Sequence, residues 1–367
     1  MLKKLTLATA LTAIVCSSAP INASADPVQV HGFLLARTIV TNNQYSERID
    51  RYGFQFAQKV DDEFDWLVET YIHPTEADAR SRLYLESAYL NWHLKNKVPW
   101  DLNVRIGKGR NYTYGITPSY SNRRTTDYSL YSEAFTQMRV VGFQTFSNFA
   151  DNKIQLGLSL INPYSSKSRP VPDFPLGNSI NIPICDRDND MNLIQRVGVS
   201  ARLGYKDTVP VFGAINVGAD FYTSQTGSDK TLTGVTQENL VSRMGLDAEF
   251  KRDCGLMAQA QFTIAQTPCD LDGVAANGTE KLLTHNGAEV LVGYEKPSYG
   301  LYARYGMLTY DDKLQDLNQI MVSAVYKVRP AIHFRLEALI NGEKEDAAKG
   351  WTKVDNDVLM FETLFAW

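Results

Sequence analysis

A two-residue alternation of apolar and polar side chains, repeated segment after segment, constrains this chain more than any other feature of its sequence. In KIQLGLSLIN, Ile154, Leu156, Leu158 and Leu160 alternate with Lys153, Gln155, Gly157 and Ser159. In LIQRVGVSARLGY, Val197, Val199, Ala201 and Leu203 alternate with Arg196, Gly198, Ser200 and Arg202. VFGAINVGADFY, LVSRMGLDAEFK, LMAQAQFTI, GAEVLVGYE, YGLYARYGMLTY, NQIMVSAVYKV, AIHFRLEALI and the closing VLMFETLFAW repeat the scheme. A period of two specifies strand, not helix. Charged residues make up 21% of the chain, yet the apolar parity of these ten segments holds no Asp, Glu, Lys or Arg. A soluble sandwich also hides one face. It does not call for ten consecutive segments near the ~9–11 residues that a tilted strand needs to cross a bilayer. A charge on a lipid-facing position costs ~2–4 kcal/mol at mid-depth, which accounts for the exclusion.

The first half supplies six more candidates: VQVHGFLLARTIV, RYGFQFAQKV, FDWLVETYIH, RLYLESAYLNWHL, WDLNVRIGKG and RVVGFQTFS. In the fourth and sixth, Glu86 and Arg139 fit neither face. The expected fold is therefore all-β, a transmembrane antiparallel barrel of 16 strands. Short connections (KVDDE, LKNKVPW, NFADN, YKDTVP, KRDCG, EKPS, VRPA) alternate with longer ones, including residues 107–138 and 162–192. Short turns at one end and long loops at the other suit an outer-membrane barrel. Tyr205, Phe250, Tyr294, Tyr299, Tyr326 and Trp367 fall on the apolar parity beside the short turns, at one depth, as an interfacial girdle requires. Pairing of the last strand with the first would leave no open edge in lipid.

The N-terminus reads MLKKLTLATALTAIVCSSAPINASAD, with Lys3 and Lys4, an apolar run from Leu5 to Val15, and Ala23-Ser24-Ala25 before Asp26. This pattern predicts a signal peptide over residues 1–25 and a barrel over residues 26–367, with export through a bacterial periplasm. Mean hydropathy is only −0.26, as expected where the lipid face occupies alternate residues. After residue 25 three cysteines remain, Cys185, Cys254 and Cys269. Cys185 and Cys269 lie in long connections and are candidates to bridge; Cys254 sits in a tight turn. No metal site, cofactor or nucleic-acid motif is indicated. DRDND at residues 186–190 opens like a calcium loop, but Met191 replaces the required glycine and Val197 the bidentate acid. Ser323, His333 and Glu337 share the inward face of neighbouring strands, but Ser323 should pair near residue 336, about 10 Å from His333. That excludes a triad, and no enzyme is expected.

Sixteen strands leave an aqueous lumen. The inward parity carries Arg51, Lys59, Arg105, Arg196, Arg202, Arg243, Arg304, Lys327 and Arg335, with Glu63, Asp65, Glu69, Asp220, Asp247, Glu249, Glu289 and Glu337. Among these, Arg196, Arg202, Arg243, Arg304 and Arg335 are candidates to line the lumen. The third long connection, GKGRNYTYGITPSYSNRRTTDYSLYSEAFTQM, is rich in arginine and tyrosine. Folded into the lumen it would narrow it, with Arg105, Lys108, Arg110, Tyr112, Tyr114, Arg123, Arg124 and Arg139 as the candidate constriction and solute-binding residues. Arginine is suited to bidentate recognition of phosphate and carboxylate. Removing Lys3 and Lys4 from the 37 basic residues leaves 35 against 41 acidic, so only the constriction candidate is clearly basic.

RIGKGRNYTYGITPSY followed by SEAFTQMRVVGFQ resembles the third-loop region of bacterial outer-membrane porins of the phosphate-selective and general trimeric groups. Residues 105–115 resemble that family's R-x-G…G run, and Arg139, Gly142 and Gln144 its R-x-x-G-x-Q strand start. Lys108 and Arg110 depart from its apolar-aromatic run. The resemblance implies a homotrimer in the outer membrane of a Gram-negative bacterium, with the loop folded inward. The expected function is passive diffusion of small hydrophilic solutes, with a mild preference for anions. The alternatives are a phosphate- or carbohydrate-specific porin, a structural or adhesive barrel using the Pro-rich loop at residues 162–183, and a barrel-embedded hydrolase.

Overall fold

The computed structural model describes residues 26–41, 44–73, 82–94, 98, 100–116, 124–125, 128–136, 139–162, 166–171, 180–185, 197–210, 213–226, 239–269, 281–311, 315–353 and 356–367. The signal-peptide and DRDND readings lie outside them. Seven strands open the chain: β1 (Gln29–Val40), β2 (Tyr45–Lys59), β3 (Phe64–His73), β4 (Arg82–His93), β5 (Asp101–Arg110), β6 (Arg139–Phe149) and β7 (Ile154–Ile161). A hairpin of β8 (Ser166–Val171) and β9 (Ile180–Cys185) stands apart from the main sheet. Then follow β10 (Gly198–Val209), β11 (Gly213–Thr226), β12 (Asn239–Lys251), β13 (Leu256–Cys269) and β14 (Lys281–Glu295). The last four are β15 (Tyr299–Tyr310), β16 (Leu317–Arg329), β17 (Ile332–Glu343) and β18 (Val358–Ala366). Apart from the hairpin, the sixteen strands close into one antiparallel barrel, β18 pairing with β1. Each predicted segment corresponds to one barrel strand.

Parity is realised as expected. Leu158, Leu160, Leu203, Met244, Leu246, Val322, Ile340 and Phe361 lie on the exposed outer face, while their neighbours Ser159, Arg243, Asp247, Ser323 and Glu362 are buried inside. Tyr205, Tyr299, Tyr326 and Trp367 are exposed at the short-turn rim. There Tyr294 meets Tyr299 and Phe64 stacks on Trp92. Closure ends on a reciprocal pair: Gly32 N donates to Trp367 O (3.0 Å) and Trp367 N to Gly32 O (2.9 Å). The short turns are capped locally; Asp61 Oδ1 accepts from the backbone of Glu63 and Phe64 at 2.7 and 2.8 Å, an Asx-type turn.

Three features differ from the sequence reading. β2 begins at Tyr45, not near Arg51, so its connection to β1 is short, closed by Thr41 N to Gln44 O (2.9 Å). The register shifts where Leu35 pairs Arg51 and Ala36 pairs Ile49, leaving Asp50 as an extra residue; such a bulge breaks the alternation. The long connection after β7 contains the β8–β9 hairpin. There Pro170 and Pro183 mask the alternation of Ile180, Ile182 and Ile184, and proline is tolerated because neither strand joins the barrel. The inner wall is also less polar than expected, since Met257, Leu291, Met321, Leu339 and Val358 are buried together with Met360 and Ile39. No helix among the described residues is long and apolar enough to cross a membrane, which says nothing of a barrel.

Candidate pore constriction

The third connection at the long-loop end, L3, leaves β5 at Arg110 and returns at Arg139, residues that face each other across the β5–β6 pair. Its first residues run over the inner faces of successive strands. Tyr112 N donates to Gln144 Oε1 of β6 (3.1 Å). Thr113 Oγ1 bonds Ser159 of β7 (2.8 Å) and Ser200 of β10 (2.7 Å). Tyr114 Oη reaches Thr263 of β13 (3.1 Å), and Ile116 N donates to Gln261 Oε1 (2.8 Å). Further along, Arg124 Nη2 pairs with Glu249 of β12 (3.2 Å) and its Nε with Glu295 of β14 (3.1 Å). Arg304 of β15 donates to Thr125 Oγ1 (3.3 Å). On the way back Tyr131 Oη meets Thr263 (2.7 Å), and Phe135, in a helical turn at Ser132–Thr136, packs edge-on against His285. Each of these partners is an inward position of its strand, so the loop is tied to the barrel wall through polar groups that would otherwise be buried alone.

Two inward glycines make this path possible. A Cβ on Gly287 would lie 2.2 Å from the Phe135 ring, and one on Gly157 would lie 2.7 Å from Thr113 Cγ2. These two inward positions receive L3.

The predicted residues fall into several groups. Arg110 and Arg139 are buried at the neck of L3 and both turn to Glu86, Arg110 Nη2 at 3.8 Å and Arg139 through two hydrogen bonds. Glu86 is the residue skipped where β3 and β4 shift register between Glu69/Ser87 and Thr70/Leu85. It therefore fitted neither face. Tyr114 and Arg124 hold L3 to the wall, as above. Arg202 is bound to Asp220 (2.7 Å) and Asp247 (2.7 Å). Arg243 donates to Phe135 O (3.2 Å), Arg304 to Gln319 (3.1 Å) and Arg335 to Glu362. Lys108 lies half-buried in β5 between Ala88 and Val141. Arg123 and Arg196 lie outside the described residues, as do the side chains of Cys185 and Cys269.

Arg105 is different. Its guanidinium carbon sits 3.9 Å from the ring centre of Tyr89 and 4.3 Å from that of Tyr112, with Phe146 at 5.9 Å. Nε donates to Asn91 Oδ1 (2.9 Å), and Asn91 Nδ2 donates on to Asp65 (2.6 Å). Among the described residues no carboxylate lies within ion-pair distance of Arg105. Tyr89, Asn91 and Phe146 were missed by sequence reasoning; their inward parity was the available signal, blurred in β4 by the bulge at Glu86. The two sides of the interior also differ in exposure. Asp65, Tyr89, Asn91, His93, Asn103, Arg105 and Phe146 on β3–β6 are half-exposed. On β13–β17, Gln259, Thr263, Glu289, Arg304, Ser323 and Glu337 are buried.

Solved structures supply the comparison. OmpF of Salmonella typhi, in complex with daunomycin, is 11% identical and superposes with a TM-score of 0.63, covering 93% of this chain and 97% of that one. The chain has the porin fold. An anion-selective porin from Comamonas acidovorans (8% identity, TM-score 0.57, 94% and 100% covered) shares it. So does OprB of Pseudomonas putida (9%, 0.58, 95% and 95%). No protein-family model and no curated protein sequence matches the chain. At these identities the likeness is one of fold. The hydrolase reading gains no geometry from it: Ser323 pairs with Glu337, and His333 sits opposite Lys327, four positions along β16.

Proposed function

We propose that this protein is an outer-membrane diffusion channel for small hydrophilic solutes with a mild preference for anions, working as a homotrimer after export through the periplasm of a Gram-negative bacterium. The observation that carries the reading is the unequal interior. Beyond its first bonds to β6 and β7, L3 is bonded to strands between β10 and β15, and the wall on β3–β6 keeps a half-exposed polar surface. A barrel built only to adhere has no need of that surface. The preference for anions rests on Arg105, since Arg124, Arg202 and Arg335 are each held by carboxylates. An uncompensated guanidinium on a pore wall favours anions by simple Coulomb attraction. A carbohydrate-conducting channel is the second reading, favoured by the 44% exposure of Tyr112.

The test is the reversal potential across a planar bilayer in a KCl gradient. An anion-selective sign that shrinks on Arg105→Gln, with Arg124→Gln changing it less, is expected. A cation-selective sign rejects the preference, and a folded protein without conductance rejects the channel.

A further inference from the structure

We infer that Tyr89, Arg105 and Tyr112 form a solute subsite for aromatic carboxylates on the β4–β5 wall. The inference deepens the channel reading and rests on it. Arg105 meets three requirements for such a ligand. Its charge has no acid within ion-pair distance among the described residues. Its plane is held between Tyr89 and Tyr112, at 3.9 and 4.3 Å from their centres. Its Nε is occupied by Asn91 and its Nη1 is buried behind the rings, which leaves Nη2 as the nitrogen that can donate to a solute. A guanidinium packed against two rings is pre-organised, so little rotamer freedom is lost when its Nη2 donates to a carboxylate oxygen.

The tyrosine supplies the second half of the recognition. Tyr112 is 44% exposed and stands edge-to-face with Phe146, 5.8 Å between centres, while its backbone N–H is fixed to Gln144. An exposed ring braced in this way offers a flat apolar surface beside the guanidinium edge. A ligand ring packing there places its carboxylate beside Arg105 Nη2. A small inorganic anion uses only the cation, and a neutral sugar only the ring. Asp65, one amide beyond Arg105 through Asn91, disfavours multiply charged anions at the same spot.

Block of open-channel KCl conductance by sodium benzoate, sodium acetate and benzyl alcohol, at constant ionic strength, tests this directly. Benzoate should half-block wild-type protein at a concentration about fivefold below either comparator, the scale of one aromatic contact or one exposed charge contact. Tyr112→Leu should erase the advantage over acetate, and Arg105→Gln the advantage over benzyl alcohol. Variants are compared after their heat-modifiable migration shows a folded barrel, and the wild-type comparison of the three solutes decides even if a variant fails to fold. Equal block by all three in wild-type protein overturns the subsite and leaves the channel standing. A folded wild-type protein that conducts no KCl overturns both.

Discussion

Glu86 is the side chain whose surroundings were least readable in advance. As a bulge residue it belongs to neither parity, and its two partners, Arg110 and Arg139, lie 24 and 53 positions away in sequence. Nothing local announces such a contact, whereas Leu359 or Phe361 could be assigned to the lipid face from their neighbours alone. Gly32 is a second case in which one residue's role depends on a distant one. A Cβ there would lie 2.4 Å from the Trp367 ring. Gly32→Val should displace that indole and weaken the closing pair, costing about 1–3 kcal/mol of stability as overpacking does. Gly306→Ala is the control, since its Cβ would meet nothing nearer than 4.0 Å. Denaturant midpoints in detergent should fall for the first and hold for the second.

At the scale of the element, L3 is held at two levels. Two arginines directly opposite each other clamp one carboxylate at its neck, and Arg124 bridges Glu249 and Glu295 further in. Removing the neck carboxylate leaves two buried like charges face to face, and breaking such a buried pairing typically costs about 3–5 kcal/mol. Glu86→Gln should therefore loosen L3 at its root. The measurable result is noisier single-channel current and closure at lower applied voltage, with the barrel still heat-modifiable. Sequence reasoning located this element by its tyrosines and arginines. It did not reveal the landing sites, because Thr263, Gln261, Gly157 and Gly287 look like ordinary inward positions until L3 is laid on them. The β8–β9 hairpin was missed because its prolines argue against strand wherever a sheet is assumed to be continuous.

For the whole molecule, strand number, order and facing follow from one rule, hydrocarbon on one side of every strand and polar groups on the other. What that rule leaves open is how the ends of the chain find each other. A chain of charges spans the junction: Arg48 to Asp50 (2.7 Å), Asp50 to Arg37 (3.7 Å), Arg37 to Glu362 (3.0 Å) and Glu362 to Arg335 (2.5 Å). Arg37 and Glu362 are direct partners in the β1–β18 register. A one-residue slip would send every side chain of β18 to the wrong face, and this pair opposes it. Glu362→Gln should lower the temperature at which the barrel converts to its slow-migrating form. Because Glu362 is fully buried, the drop should be nearly independent of added salt. The lopsided interior has a further consequence for anyone altering what passes through. On the channel proposed above, variation confined to β3–β6 should edit the traffic, while equal variation on β12–β15 should edit the furniture against which L3 rests.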